Sequence, residues 1–169
     1  VEQLNRRLAG RIPETETVRS RTHRGELPVI AAEPRPDLLF YNGLGGFTPD
    51  GREYIITTAH DQMTPAPWIN VLANPNFGTI VSESGMGYTW AENAHEFRLT
   101  PWHNDPVSDT GGEALYIRDE ERGHFWSPLA LPCRSASPHV CRHGFGYSVF
   151  EHAERGIETE TMIHVDLEA

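Results

Sequence analysis

Lysine is missing from all 169 residues. Each of the 14 basic side chains is therefore an arginine, set against 24 acids for a formal charge of −10. That balance argues against a chain built to track phosphate backbones or lie on anionic lipid, so neither nucleic acid nor a lipid surface is an expected partner. Long apolar runs are missing too. None approaches the roughly 20 residues a membrane helix needs, and no signal-peptide pattern opens the chain. Cysteine is scarce: Cys133 and Cys141 stand eight residues apart. A bridge between them is one reading; free thiols, favoured by a cytosolic setting, are the other. No helical period of useful length occurs after residue 36, and no internal repeat is seen. Val1 stands where an initiating Met is expected, which reads as a processed or excised piece. What is present is 38% hydrophobic with 15 Gly and 13 Pro, a turn-rich composition sized for one domain.

Charge divides the chain. Residues 1–35 hold seven Arg and five acids, whereas residues 36–169 hold seven Arg and nineteen acids. In the head, Leu4, Leu8 and Ile12 are spaced four apart, which suits one short amphipathic helix ending near Pro13. The polar, proline-punctuated stretch to Pro36 reads as a linker or as an extended arm pinned on the domain surface. The expected organisation is a lead-in over 1–36 and a β-sandwich domain over 37–169.

From Asp37 onward the text is β. LLFY (38–41), REYIITT (52–58), TIVSE (79–83), GYTW (87–90), EALYIRD (113–119), HFWS (124–127), GYSVFEHAE (146–154) and IETETMIHVD (157–166) are strand candidates, separated by turn residues. In the last, Ile157, Thr159, Thr161 and Ile163 alternate with Glu158, Glu160, Met162 and His164, the pattern of a half-buried strand with one wet face. Short strands with regular turns predict an all-β, antiparallel sandwich or barrel. That final strand has no closing cap, so it is expected to lack a partner or to find one in another chain.

Three stretches, YNGLGGFTPDGREYII (41–56), TPAPWINVLANPNFGTIVSESGMGYTWAENAHEFRLTPWHNDPVSD (64–109) and GEALYIRDEERGHFWSP (112–128), join RHGFGYSVFEH (142–152) in a specific series. Together they resemble the β-sandwich domain of glycoside hydrolase family 94, formerly glycosyltransferase family 36, in the form carried by cyclic β-1,2-glucan synthases. The resemblance covers residues 38–166. It implies part of a large super-sandwich, galactose-mutarotase-like in fold, that accompanies an (α/α)6 barrel, usually in dimers. It also implies a parent enzyme carrying out inverting phosphorolysis of β-glucosidic bonds, with the general acid in the barrel. No residue here matches that acid, so no catalytic residue carries over and the expected role is a non-catalytic fragment. β-glucan or another carbohydrate, the barrel and a second copy are the implied partners, with no cofactor. The setting is cytoplasmic, with any membrane attachment made by other parts of the parent. An autonomous carbohydrate-binding module and a structural or oligomerising domain are the alternatives.

Individual residues carry two readings each. The glycines of NGLGGF (42–47) precede turn and strand, not a helix, so they suit a tight turn and close strand approach better than a phosphate cradle. Trp90 and Trp126 lie in strand patterns and read as core; Trp68 and Trp102 lie in Pro-flanked loops, where a binding or interface role stands level with burial in the core. Asn104 and Asp105, with Arg98, offer hydrogen bonds at a sugar-site rim, or simply build turns. Asp105 with Glu113 or Glu120 is the conceivable glycosidase pair, but Glu120 sits in a solvated turn. His139, Cys141 and His143 alternate; on a strand they share a face and offer zinc ligands, with Cys133 or His152 as a fourth. Arg118-Asp119-Glu120 reads as the charged tip of a hairpin.

Overall fold

A computed structural model describes residues 28–168. The short helix read in the head lies outside the described residues, as does most of the linker. Residues 28–36 form neither helix nor strand, and the Ile30 amide donates to the Ala136 carbonyl at 3.0 Å.

Ten strands follow: β1 (Gly45–Phe47), β2 (Glu53–Thr58), β3 (Ile69–Ala73), β4 (Phe77–Ser82), β5 (Gly87–Ala91), β6 (Ile117–Asp119), β7 (His124–Trp126), β8 (His139–Gly144), β9 (Tyr147–Glu154) and β10 (Ile157–His164). They pair antiparallel into a five-stranded sheet ordered β1-β2-β8-β9-β10, a three-stranded sheet β3-β4-β5 and the hairpin β6-β7. The architecture is an all-β sandwich. Its core is shared between the two larger sheets. Ile56, Cys141 and Phe150 of β2, β8 and β9 pack with Leu72 and Val81 of β3 and β4, and with Leu129 from the long connection. One half-buried amide also ties the sheets: Asn70 Nδ2 on β3 donates to the carbonyls of Gly144 and Tyr147, both at 2.9 Å.

Turn chemistry explains the hairpins. Arg155 and Gly156, the two residues between β9 and β10, both have positive φ, which is the backbone a right-twisted two-residue hairpin requires. Between β3 and β4, the Asn74 side chain accepts from the amides of Asn76 (2.8 Å) and Phe77 (2.7 Å). The NGLGGF segment makes the tight turn and close strand approach its glycines suggest, and its last three residues form β1. Asn42 Oδ1 caps the Leu44 and Gly45 amides, and a Cβ on Gly45 would stand 2.6 Å from the Ile55 carbonyl oxygen.

Two strand readings need correction. LLFY contributes only a bridge, Leu39 to Phe47, because the segment folds back over β1; Gly46 admits it, since a Cβ there would meet the Leu39 carbonyl at 2.7 Å. EALYIRD is strand only from Ile117, its partner β7 being three residues long. Conversely, β1 and β3 are absent from the strand candidates, and β8 enters them only conditionally, through the alternation of His139, Cys141 and His143. β3 exposes its apolar Ile69 and Val71, so it shows no contrast between faces. β10 alternates as expected over most of its length. Thr159, Thr161 and Ile163 are half-buried and Glu158, Glu160, Met162 and His164 exposed, while Ile157 beside the hairpin is exposed as well. It forms an edge of the large sheet with no further strand beside it among the described residues.

Candidate functional site

The residues with chemical potential fall into three groups. The first centres on Tyr88. Alternation along β5 puts Tyr88 and Trp90 on one face, and Trp90 pairs across to Gly78 on β4. That glycine is required, because a Cβ would run into the Trp90 indole. The Trp102 ring tilts onto Tyr88 with centroids 4.8 Å apart, and the Arg98 guanidinium lies 5.9 Å from the Tyr88 centroid. Arg98 and Trp102 are thus brought together by a residue the motif reading had not singled out. Trp102 remains half-buried and Arg98 exposed, which leaves a ring edge and a cation for a ligand.

Asn104 and Asp105 belong to the adjoining loop and make its turn. Asn104 has a φ of 50°. Asp105 accepts from the Ser108 hydroxyl and from the amides of Val107 (2.9 Å) and Ser108 (3.1 Å), and these bonds hold its carboxyl below the usual range. The loop is fastened to β4 where the Ser82 hydroxyl donates to Asp109 at 2.5 Å; burial there pushes the Asp109 carboxyl up. Glu113 accepts from the hydroxyls of Thr89 and Thr100, and Glu120 pairs with Arg118 at 3.6 Å. Each member of the conceivable glycosidase pair is engaged in its own local structure.

Trp68 stands elsewhere. It extends the aromatic row Phe47–Tyr54–Trp68, with centroid spacings of 4.8 and 5.9 Å, and packs against the core. Its amide donates to buried Glu83 at 2.8 Å, and Glu83 also takes the Thr64 hydroxyl. Desolvation raises the Glu83 carboxyl despite both bonds. Trp90 and Trp126 are buried, as core residues should be.

The third group is the row on β8. His139, Cys141 and His143 do share the core-facing side, but they do not converge. His139 and His143 are four residues apart on the strand, about 13 Å, too far to reach one ion. Both nitrogens of His143 are engaged, with Ser148 Oγ at 2.8 Å and the Trp68 carbonyl at 3.0 Å. His139 instead stacks on His152, with centroids 3.9 Å apart and planes 5° from parallel. Burial, then the neighbouring His152 and Arg134, lower His139 to about 3. His152, offered as a fourth ligand, lies against Ser135 Oγ and the Pro138 carbonyl. Cys133 and Cys141 are both free thiols, and burial pushes that of Cys141 well up. Among the described residues no group of three or more His, Cys, Asp or Glu is disposed to hold a metal ion.

A family model for the glycosyl hydrolase 94 supersandwich domain matches residues 52–169. The chain belongs to this family. Cyclic beta-(1,2)-glucan synthase NdvB of Rhizobium meliloti (strain 1021) is 43% identical over 127 residues, covering 75% of this chain and 4% of that protein. N,N'-diacetylchitobiose phosphorylase of Vibrio furnissii is 37% identical over 123 residues, 70% of this chain and 15% of that protein. Solabiose phosphorylase of Paenibacillus borealis is 32% identical over 129 residues, 75% and 16% respectively. The supersandwich domain described here therefore spans a small fraction of the length of each relative.

Proposed function

We propose that this chain is a non-catalytic sandwich portion of an enzyme that makes or phosphorolyses β-linked glucans, and that it supports an (α/α)6 catalytic barrel outside this sequence. One observation carries the reading. The chain matches the supersandwich family over 52–169, and its relatives are a cyclic glucan synthase and disaccharide phosphorylases. The local engagement of Asp105, Glu113 and Glu120 supports the non-catalytic part. Carbohydrate contact is assigned to the Tyr88 group, where Trp102 offers an apolar ring edge and Arg98 a donor.

The test combines turnover and binding. The 169-residue chain, given β-1,2-gluco-oligosaccharides and phosphate, is expected to release no sugar phosphate; release would overturn the non-catalytic assignment. Millimolar oligosaccharide is expected to raise the melting temperature of the wild type and not that of Trp102→Ala. An equal rise in both variants, or none in the wild type, would refute carbohydrate contact at Tyr88.

A further inference from the structure

The β6–β7 hairpin is a sheet of its own, with no backbone ladder to the two larger sheets among the described residues. Its side-chain tie to the large sheet runs through His124 on β7. The Nε–H of Arg155, in the β9–β10 turn, donates to His124 Nε2 at 3.0 Å. Glu154, the last residue of β9, sets its Oε1 3.6 Å from that same nitrogen. This carboxyl is 3% exposed, and its Oε2 has no hydrogen-bond partner. Arg155 Nε at 3.6 Å and His152 Nε2 at 3.8 Å stand near it, beyond hydrogen-bond distance.

These contacts fix where the proton lies. An arginine N–H can only donate, so His124 Nε2 carries the lone pair and the ring proton sits on Nδ1. A further proton enters at Nε2, where it meets a guanidinium. The imidazolium is then a donor at both nitrogens and has to exchange Arg155 for an acceptor. Glu154 Oε1 is that acceptor, and a charge-assisted bond of about 2.8 Å to it asks for a shift of less than about 1 Å.

We propose that His124 is a proton-controlled latch between the β6–β7 hairpin and the end of β9: neutral, it is held by Arg155; protonated, it releases Arg155 and donates to Glu154. The buried carboxylate favours the exchange, because an oxygen left without a partner there bears its full desolvation penalty. The other charged and titratable groups around the pair are already engaged. Asp119, opposite His124 on β6, accepts from the Glu121 amide at 2.9 Å and pairs with Arg122 at 3.3 Å. His152, on β9, holds the Pro138 carbonyl at 3.1 Å and Ser135 Oγ at 3.0 Å. His139 of β8 stacks on His152, and its value of about 3 keeps it neutral in the range where ordinary histidines titrate. Arg134, in the connection before β8, donates to the carbonyls of Ala59 and Gln62.

Nitrogen NMR of the histidine-labelled full chain reads the latch at a pH of about 8 and of about 5, which bracket the ordinary histidine range. At the alkaline end His124 is expected to be protonated on Nδ1 alone; a proton on Nε2 there overturns the proposal. Amide exchange in β6 and β7 is the second readout, taken relative to β8 so that opening of the whole sandwich cancels. Arg155→Asn cannot reach His124 yet tolerates the left-handed turn. It is expected to speed hairpin exchange several-fold at the alkaline end and to match the wild type at the acid end. Glu154→Gln, of the same size, is expected to do the reverse. His124→Gln is expected to differ from the wild type, and to show no dependence on which end of the range is sampled. If Arg155→Asn or Glu154→Gln acts equally at both ends, the exchange of partners does not occur and the proposal fails.

Discussion

Glu83 gives the sharpest test of how this sandwich is held together. It is a buried carboxyl whose two oxygens serve the loop before β3, one accepting from the Thr64 hydroxyl and the other from the Trp68 amide at 2.8 Å. Glu83→Ala removes both acceptors. The Trp68 amide has no substitute, and a buried donor left unpaired costs about 1–3 kcal/mol. The half-buried Thr64 hydroxyl can turn toward water and adds less, so the expected loss at neutral pH is about 2–3 kcal/mol. Glu83→Gln keeps an oxygen for the Trp68 amide and is expected to stay within about 1 kcal/mol of the wild type. The pH dependence distinguishes a buried carboxyl from a mere packing residue. Desolvation raises Glu83 above its ordinary 4.5, so the folded state keeps this proton to higher pH than the unfolded chain does. Between 4.5 and the raised value the folded state binds more protons, and the stability from Glu83 falls as pH rises. The deficit of Glu83→Ala is therefore largest below pH 4.5 and smaller at pH 7. Urea denaturation followed by tryptophan fluorescence at both pH values measures it. A Gln variant as damaged as the Ala variant at pH 7, or an Ala deficit that grows with pH, would refute the reasoning.

Other perturbations follow from single contacts. Leu129, almost wholly buried between the sheets, is expected to cost about 2–5 kcal/mol on truncation to Ala, read from the shift in urea midpoint. Gly78→Ala forces the Trp90 ring off the β4 backbone and is expected to cost about 1–3 kcal/mol, with loss of near-ultraviolet aromatic dichroism. His139 works in the opposite sense to Glu83. Its folded value of about 3 lies below the ordinary 6.5, so its contribution is complete above 6.5 and is lost as pH falls toward 3. His139→Phe, which keeps a ring against His152, is expected to flatten that acid-side slope by up to about 1.4 kcal/mol per pH unit. An unchanged slope in melting curves across pH 4–6.5 would count against the buried imidazole as its source.

Much of this protein was legible in one dimension because the signals are local. A strand with one wet face must alternate, and β10 does. A hairpin of two residues needs positive φ, and Arg155-Gly156 supplies it. The motif series from Tyr41 to His152 was specific enough to indicate the family. Local signals failed where a contact partner was distant. β3 shows no alternation because its outward face is apolar as well, and LLFY has strand composition yet folds over Gly46 to meet β1.

Side-chain meaning was decided in three dimensions. Spacing put His139, Cys141 and His143 on one face, but ligation needs convergence, and cross-strand neighbours engage two of the three first. His139 stacks on His152, and His143 binds Ser148 and Trp68. Trp68 and Trp102 look alike as Pro-flanked loop residues. The fold sends Trp68 against the core beside Tyr54 and lays Trp102 on Tyr88. Composition and period thus determined that this acidic chain builds antiparallel sheets, because burial of alternate side chains depends on order along the strand alone. Only the tertiary structure decided which aromatic rings, carboxylates and imidazoles remain open to a ligand, because that depends on which strands are brought face to face.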